Sequence, residues 1–460
     1  MRAIRGDPVN TESEAKLTAV IYDSKDVSRE WSSQAVKDAK EHLSGKIIVL
    51  LGAGASVEAG VPASFAMTDA IVKEINDDPA ANYSDVAWAL NFVCGALKAY
   101  NTSRGSSYLE GLDVEFVVSA VNLLASRRDH EAAPFVSAWH PAVEEIDLPR
   151  VPAFFDNTVK DALGAGADPL IGIIDSLARG QRPNGHRNLK SAFQSKANNL
   201  ANAIKGLVDA RAGRGTGRVY GLLQQEMVSK LCGQVYVDDA TRVRYLYPLV
   251  HKTKSQGSMV IGSLNYDRTI EMACEVNSVG CQTGIDEWSK SRVFPEVSSG
   301  VKLLKMHGSI DWETETDARI PPWRLPSARV VQVSDIPDGR RRRPVIVFGG
   351  REKLRADGPF LDLLREWEAQ LEKADVLLIV GYSFRDNHIN ETIRRWINGS
   401  DTRHLFVVDP GWNPSFRSSG DFRAMLENGL APRFPHDDKP TPHLHVIKAY
   451  AGEALEALFS

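Results

Sequence analysis

The stretch Lys46-Ile-Ile-Val-Leu-Leu-Gly-Ala-Gly-Ala-Ser56 decides how this chain is read. A run dominated by β-branched and aliphatic residues enters a glycine-rich turn, and a helix is predicted from Ala55 to about Asn76. A buried parallel strand feeding such a turn aims backbone N–H groups and a helix N-terminus at one spot, where an anionic diphosphate fits. The glycine spacing is not the usual dinucleotide one. Gly52-x-Gly54 is followed by Ser56 and then Gly60-Val61-Pro62, with Val57 standing where G-x-G-x-x-G needs its third glycine.

Outward from that turn, 460 residues can bury a large core and should hold more than one structural unit. The composition, 43% hydrophobic and 25% charged, is that of an ordinary soluble globular protein. A formal net charge of −4 gives no electrostatic case for nucleic acid as the main ligand. No apolar run approaches the ~20 residues needed to span a bilayer, so no membrane partner is expected. Met1-Arg-Ala-Ile-Arg-Gly-Asp-Pro8 has no apolar signal core, and the expected location is the cytoplasm. Cys94, Cys232, Cys274 and Cys281 form no C-x-x-C pair. They read as buried or half-buried free thiols, and neither zinc nor another metal is expected.

Residues 1–45 read as a polar lead-in followed by a helix carrying Trp31, Val36 and Leu43. After the 46–51 strand, helical spacing covers Ser84–Tyr100, Asp113–Ala125, Phe154–Leu163, Leu189–Val208 and Tyr220–Leu231. Breakers such as Gly164-Ala-Gly166 and Arg182-Pro-Asn-Gly185 separate them. Strand patterns return at Ser258–Gly262, Val301–Lys305, Val345–Phe348, Val376–Val380, His404–Val408 and His443–Lys448, with helices at Phe360–Lys373 and Asn387–Asn398. The expected fold is α/β: a Rossmann-like, mostly parallel sheet covered by helices on both faces. Residues 46–79 and 257–460 would form that domain, and 80–256 a large all-helical insertion after the first strand–helix unit.

Five punctuations fall at the C-terminal ends of predicted strands, where open α/β sheets bind their ligands. They are the turn 52–56, Leu264-Asn-Tyr-Asp267, Met306-His-Gly-Ser309, Gly381-Tyr-Ser-Phe-Arg-Asp386 and Asp409. Each has a plain structural reading. Gly52 and Gly54 permit a tight turn, Asp267 and Asp386 cap helices, His307 is a hydrogen-bonded core histidine, and Asp409 before Pro410 starts a turn. Their coincidence on one sheet edge favours a site.

Gly52-Ala-Gly-Ala-Ser56 with Gly60-Val-Pro62, Leu264-Asn-Tyr-Asp267, His307-Gly-Ser309 and Gly381-Tyr-Ser383, in this order, resemble the sirtuin (silent information regulator) superfamily. The resemblance covers residues 46–76 and 258–410. Within the superfamily the chain looks more like the bacterial sirtuin-like NAD hydrolases of antiphage defence than the protein deacylases. The two cysteine pairs of the deacylase zinc module are absent, and G-I-P-D-F-R reads Gly60-Val-Pro-Ala-Ser-Phe-Ala66. Gly381-Tyr-Ser-Phe-Arg-Asp-Asn-His-Ile389 also resembles the defence-associated branch more than the deacylase G-T-S-L.

The resemblance implies NAD as substrate and hydrolysis to nicotinamide and ADP-ribose. Backbone N–H groups of 53–56, those of Ala53 and Gly54 among them, would hold the diphosphate, with Ser56, Gly381 and Ser383 beside it. Asn265 offers a donor and an acceptor to fix the ribose and a water, and His307 can take a proton near neutral pH. By resemblance Asp267 meets the nicotinamide carboxamide, Phe65 covers the nicotinamide pocket, and Asp409 reaches the adenosine ribose. Gating is expected, through a homo-oligomer or a partner ATPase or translocase subunit, with the helical insertion as the contact surface. Arg340-Arg-Arg-Arg343 reads as a solvated basic loop. Two other readings remain: an NAD-dependent deacylase or ADP-ribosyltransferase, and a non-catalytic NAD or ADP-ribose sensor.

Overall fold

The computed structural model describes residues 19–23, 40–43, 45–78, 85–105, 107, 111–127, 143, 218–316, 328–333, 344–348, 358–413, 421–429 and 443–460. In chain order the main elements are β1 (Ala19–Asp23), β2 (Ile47–Leu51), α1 (Ser64–Asp77), α2 (Asp85–Ser103), α3 (Val114–Ala125) and α4 (Arg218–Val235). Next come α5 (Tyr247–Gln256), β3 (Ser258–Ser263), α6 (Thr269–Val276), β4 (Cys281–Gln282), α7 (Ile285–Ser291) and β5 (Gly300–Lys305). The chain continues with β6 (Trp312–Thr316), β7 (Ala328–Gln332), α8 (Phe360–Leu371), β8 (Val376–Val380) and α9 (Asn387–Ile397). It ends with β9 (His404–Val408), α10 (Phe422–Gly429), β10 (Leu444–Lys448) and α11 (Ala451–Phe459).

Among the described residues eight strands form one sheet in the order β1-β10-β9-β8-β2-β3-β5-β4, and every pairing in it is parallel. Strands buried on both faces read as continuous aliphatic runs, and β2 and β8 (Ile-Ile-Val-Leu-Leu and Val-Leu-Leu-Ile-Val) are buried at every position. Alternate residues serve opposite faces. Ile48, Leu50, Leu377 and Ile379 pack under α8 and α9 with Trp367 and Trp396. Ile47, Val49, Leu51, Val376, Leu378 and Val380 pack under α5, α6 and α11.

Most predicted strands are found within one residue of their expected ends. Three differences stand out. The helix expected from Ala55 to Asn76 is two pieces, a 3₁₀ segment Ala53–Ala59 and α1, because Gly60 takes a left-handed conformation and Pro62 has no N–H for the helix to use. Val345–Phe348 is not a strand. Ile346 makes one antiparallel bridge to Gly308, and the segment braces a turn instead of joining the sheet. β1 lies in the stretch read as a polar lead-in, and a short apolar run pairs there with β10. Trp31, Val36, the predicted helices Phe154–Leu163 and Leu189–Val208, and Arg340–Arg343 lie outside the described residues.

The chain divides into two compact units. One comprises Met1–Ile71, Gly111–Phe116 and Val228–Ser460, and the other Val72–Glu110 and Val117–Met227. The second unit is helical in its described parts, with α2 burying Ala87, Ala89, Leu90 and Val93. Residues 111–116 and 228–256, which the sequence groups with the helical insertion, belong to the unit that holds the sheet.

Candidate functional site

From β2 the chain moves to build β3, β4 and β5 on one side, then returns to build β8, β9 and β10 on the other. The order therefore reverses between β2 and β8, the point at which an open parallel sheet leaves a crevice beyond its strand ends. A cavity of about 420 Å³ opens there, lined only by residues of the sheet-bearing unit. All ten residues singled out from the sequence line it: Ala53, Gly54, Ser56, Phe65, Asn265, Asp267, His307, Gly381, Ser383 and Asp409.

The two glycine turns at this reversal lie backbone against backbone. Gly54 N–H donates to the Gly381 carbonyl at 2.8 Å, and Gly52 N–H to the Val380 carbonyl at 2.9 Å. Gly381 has φ +64°, and a Cβ there would lie 2.2 Å from the Ala55 nitrogen. The irregular glycine pattern is thus first a close-approach requirement between β2 and β8. It also occupies amides assigned to a phosphate in the sequence reading: Gly54 N–H is taken by Gly381, and Ala55 N–H donates to the Gly52 carbonyl at 2.9 Å. Ala53 stands exposed at the tip. Tyr245 holds the segment from the side, its hydroxyl donating to the Ala55 carbonyl at 2.7 Å.

Beneath the cavity lies a fixed relay. The Asn265 side-chain amide donates to the Gly52 carbonyl at 2.9 Å and to Ser56 Oγ at 3.0 Å. Ser56 in turn donates to Asp267 Oδ2 at 2.7 Å. Asp267 Oδ1 accepts from Thr269 N–H at 3.0 Å and Thr269 Oγ1 at 2.7 Å, so this carboxylate holds the first residue of α6 and anchors the relay together. Both Asn265 amide hydrogens are committed, and its Oδ1 is the part left to meet a ligand. The Ser56 proton is committed as well.

Lys305, 1% exposed, supports the floor from below. Its ammonium donates to the Asp267 carbonyl, to Glu271 Oε1 at 3.0 Å and to Ser309 Oγ at 2.7 Å. Burial pushes the Glu271 carboxyl above its ordinary range, and the Lys305 charge opposes that shift.

His307 Nε2 lies 3.1 Å from Asp386 Oδ2, with both side chains buried. Asp386 Oδ1 accepts from His388 N–H at 3.1 Å at the start of α9, and Asp386 N–H donates to the Tyr382 hydroxyl. The capping role read from the sequence is therefore real, and the same carboxylate also fixes an imidazole. The Val345–Phe348 segment braces the His307 turn, with Val347 N–H donating to the His307 carbonyl at 2.9 Å. Tyr266 hydroxyl donates to the Val347 carbonyl at 2.9 Å. Burial first, then the carboxylates of Glu115, Asp113 and Asp386, drive the Tyr266 phenol well above its ordinary 10.0. Burial and then Asp386 do the same to Tyr382. Both phenols are donors and positioning groups, not bases.

The mouth carries Phe65, 42% exposed, with the Arg385 guanidinium 4.6 Å above its ring and ion-paired to Asp113. Ser383 is exposed beside it. Between them Phe384 sits at φ +58°, a conformation costing about 1–2 kcal/mol for an L-residue and held here by packing on Tyr382, Trp412 and Phe422. Asp409 Oδ1 accepts from Gly411 N–H at 2.8 Å, which is the turn role read from the sequence, while Asp409 still faces the cavity.

Sequence reasoning missed the pairing of Asp386 with His307, the support from Lys305, and the rim of Asp113, Glu115 and Arg385. The first could have been suspected from an acid and a histidine closing strands on the same sheet edge. The others have no local signal.

Residues 260–427 match the family model of the SIR2-like domain. The chain is similar to the crystal structure of a Sir2 homolog–NAD complex at 12% identity, covering 93% of each chain with a TM-score of 0.36. A structure described as the basis for the mechanism and regulation of Sir2 enzymes is 12% identical and covers 93% of this chain and 96% of its own, with a TM-score of 0.37. A mutant Sir2 homologue–ADP-ribose complex is 14% identical over 50% of this chain and 73% of its own, with a TM-score of 0.28. No curated protein sequence matches the chain. No described helix is long and apolar enough to cross a membrane.

Proposed function

We propose that this chain, whose residues 260–427 match the SIR2-like domain, is a sirtuin-superfamily enzyme that binds NAD in the cavity and hydrolyses the nicotinamide–ribose bond. The products are nicotinamide, ADP-ribose and a proton. One observation carries the reading: Asn265 and His307 line the same cavity, each immobilised by buried partners. A sensor needs to bind but has no use for a fixed base beside a fixed amide.

Departure of neutral nicotinamide takes the C–N electron pair and leaves an oxocarbenium-like ribose. Asn265 Oδ1 accepts a hydrogen bond from a ribose hydroxyl or from the attacking water. With its Nε2 proton on Asp386, His307 keeps the Nδ1 lone pair to take the proton of that water or hydroxyl. Asp267 adds negative charge near the cationic nicotinamide ring of bound NAD, and Phe65 covers that end. With the Gly54 and Ala55 amides used inside the turn, the diphosphate is held by the tip amide of Ala53 and by Ser383. Asp409 contacts the adenosine ribose with the oxygen not engaged by Gly411.

The test is chromatography of NAD after incubation with the purified full chain, beside Asn265→Ala and His307→Ala. Each variant is expected to lose about 10²–10⁴-fold in turnover with its fold retained. Undiminished turnover in both would remove the assignment, and nicotinamide release only on adding an acylated peptide would move it to a deacylase. The reading extends to a gated effector of bacterial antiviral defence, since unrestrained NAD hydrolysis would empty the producing cell's own pool. The helical unit is the proposed surface for self-association or for a partner subunit such as an ATPase or translocase.

A further inference from the structure

The second unassigned cluster of chemistry lies at the opposite end of the same sheet. On the face packed under α5, α6 and α11, the apolar core runs along β9 and β10 through Phe406, Val408 and Ile447. At the N-terminal edge of that face it gives way to imidazoles. His404 opens β9, and His445 is the second residue of β10. With Leu405 level with Leu444, the two histidines are diagonal neighbours on one face. His42 reaches the same point from the short turn preceding β2, its ring stacked on His404 with centroids 3.9 Å apart. His445 is 2% exposed and His404 9%, whereas His42 is half-buried and open to solvent on one side.

We propose that His42, His404 and His445 form a binding site for a borderline transition-metal ion, with Zn²⁺ as its natural occupant. One ligand nitrogen from each residue lies within 4.8 Å of the other two. His404 Nδ1 and His445 Nε2 are 3.3 Å apart. Two nitrogens on one tetrahedral zinc, each about 2.0–2.1 Å from the metal, are separated by about 3.3–3.4 Å, so one edge of the coordination polyhedron already has its length. The remaining edges close by rotation of His42, the most exposed of the three, out of its stack. Three neutral imidazoles exclude hard cations such as Mg²⁺ and Ca²⁺, which require oxygen donors, and suit zinc and its neighbours. A three-histidine set leaves a fourth position for water. His443, whose ring lies 5.5 Å from that of His404, has its Nδ1 on the Arg403 carbonyl and stays outside the set.

The site would tie the segment before β2 to the β9–β10 edge, three chain regions far apart in sequence. It differs from the expectation of no metal, which did not weigh these histidines. It stands independently of the NAD reading.

The full-length protein, stripped with a chelator and dialysed, is titrated with Zn²⁺ against a chromophoric competitor, and with Co²⁺ as a spectroscopic probe. One equivalent per chain is expected, with Co²⁺ bands of tetrahedral nitrogen coordination and a rise in thermal midpoint on loading. His404→Gln and His445→Gln should abolish binding. Should either fail to fold, His42→Ala at the half-exposed position keeps the test alive, with folding checked by circular dichroism. It should weaken Zn²⁺ by about tenfold or more, while Cys281→Ser should bind as the parent does. Absence of stoichiometric binding, unchanged affinity in His42→Ala, or thiolate charge-transfer bands with Co²⁺ would each overturn the proposal in favour of a purely aromatic histidine stack.

Discussion

At the C-terminal end of the sheet, Ser56, Asn265, Asp267, Lys305 and Glu271 are joined donor to acceptor in one buried relay. At the opposite, N-terminal end of the same sheet, His42, His404 and His445 meet through ring stacking and a 3.3 Å nitrogen–nitrogen contact. The first arrangement is charged and locked, and removing one member strands another. The second is made of groups that tolerate burial while neutral, so its cost is low and its geometry can be completed by a ligand. A parallel sheet thus carries two kinds of polar cluster at its ends, one that stiffens a cavity and one that awaits an ion.

The sharpest break of this comparison is at Lys305. Lys305→Met leaves Glu271 buried without its cation and is expected to cost about 3–5 kcal/mol, read as a fall in the urea midpoint. Adding Glu271→Leu should recover much of that loss. If Lys305→Met alone proved neutral, the relay would not be the locked element described. Next in size is Asp386→Asn, which leaves His307 in place but loosens its orientation. NAD cleavage should fall by about 10²-fold in kcat with KM little changed, as expected for a misaligned base. A purely structural role for Asp386 would instead lower stability and spare kcat.

The smallest effect is alkaline. Tyr266 and Tyr382 both have folded pKa values raised above the ordinary 10.0, so the unfolded phenols ionise first. Stability from these groups is complete below about pH 10 and declines as pH rises through and beyond it. Urea midpoints measured from about pH 8 to 11 should fall only at the top of that range, and Tyr266→Phe should flatten the fall while losing about 1 kcal/mol with its bond to Val347. A flat midpoint in the parent protein would contradict the burial of these phenols.

The sheet was largely legible because it is written in local code. Val376–Val380 and His404–Val408 are continuous aliphatic or aromatic runs bounded by turn residues, and they fold as read. β1 was missed because Ala19–Asp23 is too short to distinguish from any other apolar patch in a polar stretch, and only its pairing with β10 makes it a strand. Val345–Phe348 failed in the opposite sense: it has strand composition, but its partner is a turn, so no ladder propagates. Within the site, the residues closing strands were readable and their partners were not. Asp386 looked like a cap and is one, yet its second oxygen holds His307, 79 residues away.

By itself the sequence determined the central strands, the polar residues that end them, and hence the edge on which a ligand would sit, because backbone periodicity and turn chemistry are properties of neighbours along the chain. Strand order was decided only by the tertiary structure. That order sets Gly54 against Gly381, links Asn265 through Ser56 to Asp267, delivers Asp386 to His307 and gathers three histidines at the far edge. The physical reason is that a hydrogen bond or a close backbone contact depends on distance in space. Sequence separation carries no information about that distance until the sheet is assembled.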